Sequence, residues 1–287
     1  MDAGSDTGLG NIVALEHVNV QIPDQQLATL FYVKGLGLTR DPYLMVELDN
    51  MWINVGRSQF HLPTGKPQVQ RGHVGLVMPD RAALVQRLAK VQSRLEETQF
   101  SFSEQDDHVA VTSPWGNRLR IFAPQERFGP VQLGMPYVEF EVPAGAAPGI
   151  ARFYEQALDT PASAADGVAR VNLGSRQQLV FRETDKPLPD YDGHHVQVYV
   201  AGFASTRKRM EALGLVSEDD GPHQFRFTDI VDLDTRLPLF TIEHEVRGLR
   251  HPLYARPLVN RNPAQTNMGY KPGADAMSWE LTAARQG

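Results

Sequence analysis

Four stretches of this 287-residue chain follow one design, and the repetition restricts the fold more than any single residue does. They open at His17-Val-Asn-Val-Gln-Ile-Pro, His73-Val-Gly-Leu-Val-Met-Pro, Tyr137-Val-Glu-Phe-Glu-Val-Pro and His195-Val-Gln-Val-Tyr-Val. The openings recur about every 60 residues, the mark of one supersecondary unit used repeatedly. Within each, apolar side chains alternate with more polar ones: Val18, Val20 and Ile22 against His17, Asn19 and Gln21 in the first. A period of two sets the two groups on opposite faces of a strand. The apolar face needs a cover, and a helical pattern follows each time, at 25–34, 81–94, 148–157 and 204–213. Asp80 and Ser205 are the expected N-caps of the second and fourth helices. Further strand-like runs come next, at 43–48, 52–55 and 59–62 in the first unit and 100–104, 108–112 and 118–123 in the second. The third adds 168–173 and 177–182, the fourth 224–229 and 239–245. Each unit therefore reads β-α-β-β-β.

Composition narrows the function classes. Net charge is −6, which argues against a nucleic-acid partner. No run approaches the roughly 18 apolar residues of a membrane span. Cysteine is absent, which removes disulfides, thiolate nucleophiles and cysteine-ligated zinc. Any metal must be held by His and carboxylate. With no visible secretory signal, a cytoplasmic location is the default, although a periplasmic one is compatible with the same lack of cysteine. Nucleotide-binding and serine-elbow motifs are missing.

Four βαβββ units, with Phe31-Tyr32 before Leu36-Gly37-Leu38, Phe153-Tyr154 before Ala157-Leu158, and Gly116-Asn117 ahead of a last strand, resemble the vicinal oxygen chelate superfamily. That group includes glyoxalase I, extradiol dioxygenases and bleomycin-resistance proteins. The resemblance implies an α+β fold, with four βαβββ units forming two domains of cupped mixed sheets and helices on the outside. It divides the chain into an N-terminal tail (1–12), a first domain (13–125), a second domain (134–247) and an irregular extension (248–287). It also implies a small-molecule substrate or ligand, with a monomer or homodimer both open.

In the metalloenzymes of that group, ligands come from the first and last strand of each unit, on the cup face. Carried over by position, this selects His17, His61 and His73 in the N-terminal half, with Arg120 where a glutamate is usual. In the C-terminal half it selects Tyr137, roughly Val180, His195 and Thr241, with Glu243 one step along the same face as a substitute. His17, His61, His73 and His195 are thus the metal candidates, for Fe, Zn, Ni or Mn, since imidazole suits late first-row metals. Arg120, Tyr137 and Glu243 are the catalytic candidates, Arg120 as partner of a substrate carboxylate. The expected activity is metal-dependent, of dioxygenase or glyoxalase type, on a small oxygenated substrate chelated through adjacent oxygens. Metal-free small-molecule binding is the alternative. Unit 1 is expected to pair with unit 2, and unit 3 with unit 4, because neighbours along a chain usually pack together. A crossed arrangement would instead bring His17 and His61 to His195 with Thr241 or Glu243. Strand parity turns His244 away from Glu243 and Glu245. Arg247, Arg250, Arg256 and Arg261 form a basic cluster that either serves a lid or pairs with the body's surplus carboxylates.

Overall fold

The computed structural model describes residues 10–42 and 49–258. The strand expected at 43–48, residues 1–9 of the tail and the extension beyond 258, with Arg261, lie outside the described residues. Unit 1 comprises β1 (Ile12–Asn19), α1 (Gln25–Ala28) continued by a π-helical stretch (Thr29–Gly35), β2 (Thr39–Arg40), β3 (Asn50–Val55) and β4 (Ser58–Pro63). Unit 2 has β5 (Gly72–Val77), α2 (Arg81–Gln92), β6 (Ser101–Glu104), β7 (His108–Thr112) and β8 (Arg118–Phe122). Unit 3 has β9 (Gly134–Pro143), α3 (Ala147–Leu158), β10 (Ala162–Ala165), β11 (Val168–Asn172) and β12 (Gln178–Thr184). Unit 4 has β13 (His195–Val200), α4 (Phe203–Ala212), β14 (Val216–Asp219), β15 (Gln224–Val231) and β16 (Pro238–Gly248).

Asp80 caps α2, its carboxylate accepting from the Ala83 amide at 2.8 Å. Ser205 does not cap α4. Gly202 holds that position, and the Ser205 hydroxyl donates back to the Gly202 carbonyl at 2.9 Å. The edge strands β10 and β14 escape sequence reading because Ala-Ser-Ala-Ala and Val-Ser-Glu-Asp carry no apolar alternation and are largely exposed.

The strands form two eight-stranded mixed sheets. One runs β14-β15-β16-β13-β1-β4-β3-β2 and the other β10-β11-β12-β9-β5-β8-β7-β6. The expected pairing of unit 1 with unit 2 and of unit 3 with unit 4 is not found, and the crossed arrangement is. Units 2 and 3 share the second sheet through antiparallel β5 and β9. Once they are paired, units 1 and 4 are left to each other and join through antiparallel β1 and β13. The linker around 124–133 thus connects two units of one sheet. The chain changes sheets along 64–71 and again along 185–194. These two crossings run side by side, with the Gln68 amide donating to the Asp192 carbonyl at 2.8 Å and the Val69 N–H to the Asp192 carboxylate at 2.6 Å.

Helices cover the face of each sheet opposite its cup, as the alternation requires. The two covered faces then turn toward each other. Helix α3 packs on β10, β11 and β12 of one sheet and on β15 and β16 of the other, and α2 lies against the π-helical stretch of unit 1. Phe140 of β9 and Phe240 of β16 meet with ring centroids 5.9 Å apart. Both apolar faces and the helices form one continuous core. Within it, His244 stacks on Phe227 at 4.4 Å, its Nδ1–H donates to the Ile242 carbonyl at 2.9 Å, and its Nε2 accepts the Tyr154 hydroxyl at 2.5 Å. The imidazole is thus a satisfied core group on the face opposite the cup. Tyr154→Phe would leave Nε2 buried without a donor. The expected cost is about 1–3 kcal/mol in urea unfolding, with the native fold retained; an unchanged midpoint would refute the assignment.

Candidate metal centre

The β1–β13 junction decides which histidines meet. Across it, Asn19 stands opposite His195 and His17 opposite Gln197. On the flanks, Asn19 pairs with His61 of β4, and Gln197 with Glu245 of β16. The two halves of this sheet are thus related residue by residue: His17 matches His195, and His61 matches Glu245. Ligand atoms of His17, His61 and His195 lie within 4.8 Å of one another. Glu245 Oε2 is 3.5 Å from His195 Nε2. Glu245 therefore lies on the Nε2 side of His195, whereas Glu243 lies on its Nδ1 side. Glu245 is 3% exposed and Glu243 25%.

The Nε2 atoms of all three imidazoles are buried and without a hydrogen-bond partner among the described residues. Three orphaned acceptors converging on one point are costly in an empty protein interior. A shared cation relieves all three at once, so the residues present fit a metal. The surroundings hold the rings with Nε2 inward. Glu16 Oε2 lies 3.3 Å from His17 Nδ1, and Glu243 Oε1 lies 3.2 Å from His195 Nδ1. A carboxylate behind each ring sets the tautomer with hydrogen on Nδ1. His61 stacks on Trp52 at 3.8 Å, and the Trp52 edge meets His17 at 4.9 Å. Glu243, a catalytic candidate in the sequence, thus sits behind a histidine, and Trp52 is part of the site.

Burial pushes His17 and His61 well below the usual imidazole range, so both are neutral and ready to donate a lone pair. Burial alone would raise Glu245. The neighbouring His195 and the guanidiniums of Arg247 and Arg226 outweigh it and hold the carboxyl well below its usual range. Arg226 donates to Glu245 at 2.8 Å and to Glu243 at 2.6 Å. Arg247 contacts Glu245 and donates to Glu16 at 3.1 Å, and Tyr199 donates to Glu16 at 3.0 Å. The basic cluster near the C-terminus therefore pairs with body carboxylates at Arg247, and again at Arg256. Arg256 is buried against Asp41 and donates to Gln59 at 2.9 Å.

The remaining candidates lie in the other cup. His73, Arg120 and Tyr137 occupy in the second sheet the places of His17, His61 and His195, because Gly75 pairs with both Tyr137 and Arg120. Val180, opposite Glu139, stands where Glu245 does. His73 Nε2 meets the Tyr137 hydroxyl at 3.1 Å, and its Nδ1 lies 3.7 Å from Glu139. His73 is thereby separated from His17 and His61. Thr241 donates to Asp229 at 2.9 Å, away from the histidines. Sequence parity had marked Glu245 and Gln197 as cup-facing, but only the pairing shows that they reach the histidines.

No family model matches the sequence, and no curated protein matches it either. Solved structures do match. A candidate dioxygenase from Bacillus subtilis superposes with a TM-score of 0.58 at 14% identity, over 96% of each chain. Glyoxalase I from Zea mays superposes with a TM-score of 0.55 at 12% identity, over 82% of this chain and 92% of that one. At these identities the likeness is one of fold, and the fold is that of the vicinal oxygen chelate proteins.

The second cup offers a check on its electrostatics. Burial lowers His73 to about 4, with Arg120 adding to it and Glu139 opposing. An NMR titration of the His73 ring is expected to have its midpoint near 4. The unfolded chain takes up this proton first, near the ordinary imidazole value of 6.5. His73 therefore costs stability as pH falls below that value, levelling off below its folded pKa. A midpoint near 6.5 would contradict the placement.

Proposed function

We propose that the cup between units 1 and 4 holds a divalent transition metal, one of Fe, Zn, Ni or Mn, on His17, His61, His195 and Glu245. The activity we infer is that of a metal-dependent enzyme of glyoxalase or dioxygenase type, acting on a small organic substrate through adjacent oxygens. The observation that carries this reading is the trio of buried, unpartnered Nε2 atoms facing one point. Three imidazoles and a carboxylate suit late first-row metals. Such a metal, when bound, supplies Lewis-acid polarisation of oxygen donors.

The chain's own residues do the rest. Glu16 and Glu243 keep the His17 and His195 rings oriented. Trp52 fixes the plane of His61. Both side-chain amide atoms of Gln197, and Oδ1 of Asn19, are buried without a partner on the same cup face. They are suited to hydrogen-bond the oxygens of a bound substrate, since a site that leaves polar groups open rejects ligands that cannot fill them. Arg226 and Arg247 balance the charge of Glu245, so the centre retains a net attraction for an anionic or enol-like oxygen donor.

Elemental analysis of tag-free protein is the test. About one equivalent of metal is expected in the wild type and in His73→Ala, with at least a tenfold loss in His61→Ala or His195→Ala. Metal lost in His73→Ala but kept in His61→Ala, or none after reconstitution, would overturn the proposal.

A further inference from the structure

The second cup has kept the architecture of the first and exchanged its chemistry. At the four equivalent positions His17, His61, His195 and Glu245 become His73, Arg120, Tyr137 and Val180. One imidazole remains, already engaged by the Tyr137 hydroxyl. The exchange is built into the backbone: a Cβ on Gly75 would lie 2.1 Å from the Tyr137 ring, so the glycine makes room for the phenol where the other cup carries Asn19.

What opens there is a cavity of about 930 Å³. Its wall carries Arg120, Arg127, Arg170, Arg176 and Arg182 against two carboxylates, Asp107 and Glu139. Arg127 pairs with Asp107 at 2.9 Å, and Arg182 holds Glu139 through two bonds of 3.0 and 3.1 Å. Arg120, Arg170 and Arg176 have no carboxylate within ion-pair distance among the described residues. Three uncompensated guanidiniums in one concavity are unusual in a chain of net charge −6. Arg176 is also placed at some cost. It and Ser175 both have left-handed backbone, at φ of 59° and 57°, and its guanidinium packs where a Cβ on Gly129 would lie 2.5 Å away. Such strain persists where the surrounding structure enforces it, often at ligand sites. Phe122, Phe128 and the Tyr137 ring give the cavity an aromatic side.

We infer that this second cup is a metal-independent binding site for a small organic anion, with at least two acidic groups, carboxylate or phosphate, on a flat apolar body. Guanidinium forks match both acids in geometry, and low-dielectric concave walls strengthen the attraction. The volume is that of a ligand pocket for a molecule of this size. The site does not depend on the metal reading of the first cup.

The test is calorimetric titration of chelator-treated protein with benzene-1,2-dicarboxylate, benzene-1,2-diyl bisphosphate and the neutral benzene-1,2-dicarboxamide. At least one anion is expected to bind at one site per chain, more weakly as salt rises, with the diamide silent. Arg120→Gln and Arg170→Gln, both exposed and checked for unchanged melting, are each expected to weaken binding about tenfold or more, as for loss of a charged hydrogen bond. His61→Ala is expected to leave it unchanged. The stronger of the two anions identifies carboxylate or phosphate as the preferred acid. Silence of both, equal binding of the diamide, affinity indifferent to both arginine variants, or loss of binding in His61→Ala would each overturn the inference.

Discussion

The antiparallel contact of β1 with β13 is the interaction on which the rest of the molecule depends. It joins residues 176 to 188 positions apart and closes the first sheet from the first and fourth units. It is reinforced from the other sheet. The Gln177 amide donates to the Leu15 carbonyl, the Ser58 hydroxyl and the Met135 carbonyl, each at 3.0 Å, and accepts from the Leu15 N–H at the same distance. Gln177 thereby fills the irregularity in β1 just before His17. A buried amide with all its partners satisfied fixes register more sharply than apolar packing alone. A slip by one residue would turn His17 out of the cup.

The two cups show how one scaffold separates binding chemistries. In both, the four cup-facing positions come from the central pair of strands and their parallel neighbours. The first cup fills them with three imidazoles whose Nε2 atoms make no hydrogen bond and a carboxylate paired with Arg226 and Arg247. The second fills them with a guanidinium, a phenol and an aliphatic side chain, and its remaining histidine is neutral and hydrogen-bonded. Placing the helical faces back to back leaves both cups facing outward on opposite sides of one core.

Much of this was legible in the sequence. The period-two openings and the helical patterns behind them specify βαβββ units, because an apolar strand face must be covered. The same parity correctly turned His17, His61 and His195 into the cups and His244 into the core. Short exposed edge strands such as β10 left no hydrophobic trace. The different places of Glu243 and Glu245 were not legible for another reason. Both face the cup, and only the register of β16 against β13 sets one beside the other histidines and the other behind His195.

The sequence by itself determined the unit, its repetition, the face on which each polar side chain lies and the ligand types available in a chain without cysteine. These are local properties, set by backbone periodicity and side-chain chemistry. Tertiary structure alone decided which units share a sheet, and with it which histidines converge. That choice depends on the pairing of the middle units through β5 and β9, which leaves the two ends of the chain to complete each other. No short-range pattern records such a pairing, because the strands that meet lie far apart along the chain, β1 and β13 by more than half its length.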